Sequence, residues 1–555
     1  MKRAIALLAL VCAVACAGAA PKTGPAAAPA PPSGPQLVSG LAPHHHPIAT
    51  DSPQAQAFFD QGFAWVFAFN HEEAARSFQR AAELDPKSPM PLWGIAWAVG
   101  PNYNLDIDDE RSVQASQAIA RAKELAASAP QNERDYVAAM AVHFSPDPKA
   151  DRKKLARAYA AAMHDLATRY PDDLDAAVLY AESLMNLNPW QLWTLDGKPG
   201  KDTDEIVRTL ESVLRRDPNH VGANHYYIHA VEASRNPERA LASAERLKTL
   251  APAAGHLVHM PAHVFARTGD HASAARANEA GAAADRAYVA GSPAQAESFY
   301  ALAYGSHNLQ FLVDDEMMRG RFASAQSAAV EVARRLDPHA AMMPMMESMI
   351  VVPTSVLLRF GRFDDVLALP DPPADRPVQN AWHRFARGVA LAQKGDAAGA
   401  ADERARLAAA IGAVPDSALF GGSGLASAKA VLALAATVLD ARIAWARGEQ
   451  AKSVGLWKQA VAAADRIPYD EPPVWFYPVR ESLGAALLAS GRASEAERVF
   501  RDDLARHPRS ARSLFGLHES LVRQKRDADA AWVQREFEAA WRDADPGEVL
   551  SLGSL

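Results

Sequence analysis

The sequence predicts an all-α protein built as a solenoid of helical hairpins. Three observations carry this expectation. Small residues, packing aromatics and turn glycines recur in register along most of the 555 residues, clearest at a spacing of 34. The composition, rich in alanine with 22% charged and 8% aromatic residues, suits packed helices better than sheets. A pair of histidines four apart occurs twice, as His225/His229 and His259/His263, and the two pairs are 34 residues apart.

The chain opens with Lys2 and Arg3, an apolar stretch from Ala4 to Ala15, and then small residues, which predicts an export signal over 1–19. Ala13-Val14-Ala15-Cys16 resembles a bacterial lipobox without the usual leucine three places before the cysteine. That resemblance implies lipidation at Cys16 and an outer-membrane or periplasmic lipoprotein. The alternative is plain secretion after cleavage behind Ala17-Gly18-Ala19. Residues 20–50, rich in proline and alanine, predict a flexible linker. The only two cysteines, Cys12 and Cys16, fall in the signal region, so the folded body has no disulfide and no thiolate ligand. A formal charge of −7 argues against a nucleic-acid partner, which would need a basic face. No apolar run beyond the first 20 residues is long enough to span a bilayer, leaving the N-terminal lipid as the only expected membrane contact.

Repeats follow. Residues 55–88 place Gly62, Ala74, Phe78, Ala81 and Pro86 at the positions where tetratricopeptide repeats carry small residues, a packing aromatic and a closing proline. Residues 221–254 fit the same register with Ala240 and Pro252, and 255–288 follow directly with Ala262, Gly269 and Ala274. Later units place Gly320 and Ala325, a turn at Gly361, then Gly388, Gly395 and Ala400, then Gly484, Gly491, Ala496, Phe500 and Pro508. A last helical pair runs from Ser510 to Trp541. The chain thus resembles the tetratricopeptide family over most of 50–541, which implies a right-handed superhelix with a concave groove. The division expected is N-terminal repeats over 51–182, a loop over 183–200, central repeats over 201–340, C-terminal repeats over 341–545 and a tail over 546–555. The loop holds Trp190 and Trp193 among prolines and glycines that end a helix; it either covers the groove or plugs a long connection. Phe59, Phe63 and Phe67 form an aromatic stripe on the inner face of the first repeat, to be covered by neighbouring chain or offered to a ligand.

The resemblance implies that positions 2, 5, 9 and 12 of the first helix of each repeat face the groove. His225, His229 and Glu232 take positions 5, 9 and 12 of one repeat; His256, His259 and His263 take 2, 5 and 9 of the next; His307 takes position 2 of the third. Helical periodicity independently puts each set on one stripe. Residues 220–307 hold eight of the chain's 18 histidines. Imidazoles from packed helices about 8–10 Å apart reach a common ion, and an i, i+4 pair is a frequent metal-binding device. The expected site is therefore a transition-metal centre of zinc, copper or iron. Its ligands are His225, His229, Glu232, His256, His259, His263 and His307, with Glu232 as catalytic base or bridge if zinc drives hydrolysis. Copper or iron would bring oxygen or redox chemistry. A non-catalytic envelope scaffold, taking a peptide, protein or small molecule in the groove, is the other expectation. Lesser candidates are His71 and His271 at turns, the tract His44-His45-His46, Asn102, Asn104 and Glu182 as capping groups, and Arg480 with Glu481.

Overall fold

The computed structural model describes residues 34–555; the expected signal segment, with Cys12 and Cys16, lies outside the described residues. Over those residues the chain is an all-α solenoid of tetratricopeptide-type hairpins, with isolated bridge pairs in place of strands. Among the described residues, no helix is long and apolar enough to cross a membrane.

The repeat register is enforced by close packing. Phe78, in helix His71–Leu84, lies between Gly62 of helix Pro53–Phe67 and Gly94 of helix Met90–Val99. A Cβ on either glycine would meet the phenylalanine ring at 2.5 Å. Phe500 is held the same way by Gly484 and Gly516, at 2.3 and 2.1 Å. In both places the glycines stand 16 residues to either side of the aromatic, so three successive helices share one ring. At the hairpin bends, Gly269 and Gly320 have φ of +80° and +74°, where a side chain would be strained.

Three repeats build the site. The first pairs helix Val221–Val231 with Leu241–Leu250. The second begins with a broken helix, Gly255–His259 and Pro261–Arg267, before His271–Gly291; Pro261 has no amide hydrogen to continue the ladder. The third pairs Gly305–Met318 with Phe322–Leu336 and is entered through a π turn, Tyr300–Tyr304. Towards the C-terminus the hairpin Ala428–Ala446 and Gln450–Ala464 also belongs to the array. Its first helix is buried on most sides, so no single stripe sets its register in the sequence. Apolar clusters spanning Ile48 to Phe311, Ala275 to Val356 and Val351 to Leu555 make the interior.

The expected linker stops short of residue 50. Residues 36–50 form a strap across the first repeats. The Val38 amide donates to Gln61 Oε1 at 2.7 Å, and the Gly40 carbonyl accepts from the Ala253 amide at 3.0 Å. Thr50 Oγ1 donates to Asp85 at 2.6 Å. The His44 and His46 rings stack on Phe63 at 5.1 and 5.0 Å, so the chain itself covers the aromatic stripe. Composition conceals this because the strap is held by residues outside it, several of them far along the chain, such as Asp85, Asp175 and Ala253.

Candidate metal centre

All seven expected residues come together, but in a closed interior instead of an open groove. His225, His229, Glu232, His256, His259 and His263 are at most 3% exposed, and His307 is half-buried. Aromatic side chains close over them. Phe69, just past the first helix, lies 4.4 Å from the His225 ring and 5.2 Å from that of His256. Tyr304, Phe311 and Tyr103 pack at 5.0, 4.4 and 5.5 Å from His256, His263 and His229. The tryptophan loop is part of this cover. Trp190 stacks behind Tyr103 at 5.6 Å, and Trp193 Nε1 donates to the Ala230 carbonyl at 2.8 Å. The expectation of a solvent-facing groove therefore fails here, because long connections fold across the stacked helices.

Hydrogen-bond partners fix which imidazole nitrogen carries the proton. His225 Nδ1 lies 2.6 Å from the Phe67 carbonyl, which only accepts, so Nδ1 donates and Nε2 keeps its lone pair. Asn278 Nδ2 donates to Asp315 at 2.9 Å, which orients its amide so that Oδ1 accepts from His259 Nδ1 at 2.6 Å. His229 Nδ1 donates to Glu232 Oε1 at 2.9 Å, and His263 Nδ1 faces both Glu232 Oε2 at 2.6 Å and Glu471. With Nδ1 engaged in each, the Nε2 atoms of His225, His229, His259 and His263 face inward; His263, pushed up by its two carboxyl neighbours, carries a proton on Nε2 as well and donates it to His259. His259 Nε2 and His263 Nε2 stand 2.8 Å apart, and His225 Nε2 and His256 Nε2 stand 3.1 Å apart. His229 Nε2 and His256 Nδ1 are buried with no hydrogen-bond partner among the described residues. Lone pairs apposed at such distances repel unless a proton or a cation stands between them. Ligand atoms around a tetrahedral ion bonded at about 2 Å are separated by about 3.3 Å, close to the spacing of these nitrogens.

The histidines divide into two equivalent sets. His225, His229 and His256 bring one nitrogen each within 4.8 Å of one another, and so do His259, His263 and His307. Each set is an i, i+4 pair from one repeat plus the position-2 histidine of the next. The repeat translation therefore copies the site itself, and the break at Pro261 leaves the second pair intact.

Glu232 stands behind these rings, with one oxygen on His229 and the other on His263. Among the described residues it also forms a third ligand-like group with the same two histidines. Its two oxygens orient the imidazoles of His229 and His263. Glu471 is a site residue the sequence did not reveal. It lies 208 residues beyond His263, reached only when the C-terminal repeats fold back, and no local spacing marks it. Burial, together with the neighbouring Glu232 charge, pushes the Glu471 carboxyl up to about 8. Against the pull of burial, Glu471 and Glu232 push His263 up to about 10. Burial and neighbouring imidazoles hold His225, His256 and His259 well below the usual histidine value and His307 near 3, so these rings stay neutral and available as donors.

A second cluster joins the strap to the body. Asp175 Oδ2 accepts from His46 Nδ1 at 2.8 Å, and Asp175 Oδ1 lies 3.1 Å from His220 Nε2 and 3.3 Å from His44 Nε2. His220 Nδ1 accepts from the Ala223 amide, capping its helix, so its proton sits on Nε2 and is donated to Asp175. This cluster is a hydrogen-bonded clasp, and the histidine tract is not merely solvated. His271 pairs with Asp315 at 2.8 Å. His71 packs on Phe69 at 5.9 Å, with no hydrogen-bond partner for either ring nitrogen. Asn102 Oδ1 caps the amides of Asn104 and Leu105 at 3.0 Å, and Asn104 Nδ2 donates to Tyr304 at 3.1 Å. Glu182 is not a cap: it is 4% exposed inside helix Leu174–Met185, accepts from Trp97 Nε1 at 3.1 Å, and is pushed by burial up to about 7. Arg480 pairs with Asp465 and Asp502, whereas Glu481 pairs with Arg359 at 2.5 and 3.1 Å.

A scan against family models finds no match, and neither does a search of curated proteins. Among solved structures, the chain is similar to a human IFIT1 dimer with PPP-AAAA, at 11% identity and a TM-score of 0.32, over 89% of this chain and 92% of that one. It is also similar to the Cut9–Hcn1 hetero-tetramer of APC/C, at 11% identity and a TM-score of 0.28, over 91% and 95% of the two chains. Yeast Tom70 matches at 9% identity and a TM-score of 0.27, over 87% and 92%.

Proposed function

We propose that this protein is a metal-binding repeat protein whose interior holds up to two transition-metal ions, one on each three-histidine set. The observation that carries the reading is the inward convergence of the ring nitrogens, with Nε2 atoms 2.8 and 3.1 Å apart in two three-histidine sets and outer nitrogens tied to a carbonyl, an amide and Glu232. Metal-ligating histidines are oriented by this kind of outer partner. Donors that are neutral imidazoles without thiolate suit copper, zinc or iron. Bound there, the metal would supply Lewis-acid or redox chemistry. The closed aromatic cover favours electron transfer or a small substrate over a polymer. Glu232, held well below the usual carboxylate range by His229 and His263 against burial, places a carboxylate beside the centre, offsetting part of the charge that metal brings into a low-dielectric interior. The other reading, a peptide-binding scaffold, draws on the repeat architecture; the strap over Phe63 already fills that part of the inner face. Residues 1–19 read as an export signal, with Cys16 as a lipid anchor or with free secretion, which would place the protein in the bacterial envelope or outside the cell.

The test is metal content. Tag-free protein loaded with copper, zinc or iron and then dialysed is expected to retain up to two ions per chain, and His259→Ala/His263→Ala to retain no more than one. Background metal after loading, with no change in melting temperature, overturns the proposal.

A further inference from the structure

A second site lies far along the solenoid and owes nothing to the histidines. A cleft of about 250 Å³ opens between the Gly361 hairpin, helices Pro377–Gln393 and Ala428–Ala446, and the tail Val549–Leu555. Its apolar walls include Phe360, Phe385, Val389 and Val438; its polar groups include Arg359, Arg442 and Arg512.

The arginines are unequal. Arg359 is matched by Glu481 at 2.5 Å, and the nearby Glu548 is matched by Arg362 at 2.8 Å. Among the described residues, no carboxylate makes an ion pair within 4.0 Å with Arg442 or Arg512. Arg512 is only 2% exposed. It donates to the Ser554 carbonyl at 2.8 Å and rests near Phe360 and Trp541 at 5.8 and 5.5 Å, while its Nε is buried without a partner. Arg442 lies over Trp457 at 5.3 Å, and its Nε is likewise buried and unpartnered. A guanidinium taken out of water without a carboxylate, as in Arg512, is an expensive arrangement, and with the partly buried Arg442 on the same cleft it makes a place for an anion. Burial and the nearby Arg359 charge draw Arg512 down to about 9, the direction expected of a cation lacking its counterion.

The walls decide what kind of anion. A bare inorganic ion would leave the Phe360, Phe385 and Val438 surfaces uncovered, whereas a cavity of about 150 Å³ already accommodates a benzene ring. Guanidinium forks match a carboxylate in a planar, bidentate way. We propose that this cleft binds a small amphipathic monocarboxylate, its head held by Arg512 and Arg442 and its apolar body against Phe360, Phe385 and Val438.

Calorimetric titration of the full chain with sodium phenylacetate, inorganic phosphate and the neutral analogue 2-phenylethanol tests this. Phenylacetate is expected to bind at one site per chain, with affinity lowered at least tenfold by Arg442→Gln and binding lost in Arg512→Met. If Arg512→Met does not fold, Arg442→Gln, whose side chain is less buried, decides the matter, with an unchanged melting curve as its control. No binding of phenylacetate, equal binding of 2-phenylethanol, preference for phosphate, or indifference to Arg442→Gln would each overturn the proposal.

Discussion

Replacing Glu232 by glutamine probes how the repeat holds its imidazoles. The carboxylate accepts His229 Nδ1 at 2.9 Å and His263 Nδ1 at 2.6 Å. A carboxamide of the same shape offers one oxygen and one NH₂ group. One of the two imidazole N–H groups must therefore face a donor. That ring either swings away or moves its proton to Nε2, where it can no longer ligate a metal. Loss of such an outer partner weakens metal binding by about 10- to 100-fold, equivalent to about 1.4–2.8 kcal/mol. Glu471 also contacts His263, so its ring keeps a carboxylate and His229 is expected to suffer more. The assay is competition against a chelator of known affinity, with circular-dichroism melts of the metal-free protein as a control for folding. An affinity within twofold of the parent protein, in a folded Glu232→Gln variant, would refute the orienting role.

Other consequences concern the frame around the site. Glu182 is an acid whose pKa rises from 4.5 to about 7 on folding. Its buried charge destabilises the native state progressively as pH rises through that interval, by up to about 3 kcal/mol at 1.36 kcal/mol per unit. Glu182→Gln should therefore stabilise the protein more at pH 8 than at pH 5 in denaturant titrations; an equal effect at both pH values would contradict this. Gly484→Ala places a methyl 2.3 Å from the Phe500 ring and should destabilise by about 1–3 kcal/mol, partly relieved by Phe500→Leu in a double-mutant cycle. The strap should be held most firmly in mild acid. His44, His220 and His46 hold Asp175 well below its usual pKa despite burial, so its contribution persists above about pH 4 and fades below. Asp175 raises His46 despite burial, so that share is complete below about pH 6.5 and fades as pH climbs through the raised value. Hydrogen exchange of residues 38–50, corrected for intrinsic rates, should show greatest protection between those limits; flat protection from pH 4 to 9 would count against the clasp.

Much of this architecture is local and was therefore legible. Gly62, Phe78, Gly484 and Phe500 mark helix crossings because close approach leaves few residue types that fit. The histidine register was legible for the same reason. A 34-residue translation carries His225 onto His259 and His229 onto His263, and helical periodicity puts each pair on one face. Other features had no local signature. Glu471 is an ordinary acid beside two prolines until the fold brings it to His263. The strap's composition reads as linker because its bonds to Gln61, Asp85, Asp175 and Ala253 depend on long-range closure.

The sequence by itself determined the repeat, the identity of the six histidines and the absence of cysteine from residues 34–555. Only the tertiary structure decided that those histidines are enclosed, which nitrogen of His225, His229, His259 and His263 points inward, and that Glu232 stands behind them. Periodicity specifies the face on which a side chain lies. Enclosure and proton placement depend on what packs against that face, and here the partners come from Phe67, Asn278 and Glu471, on other parts of the chain.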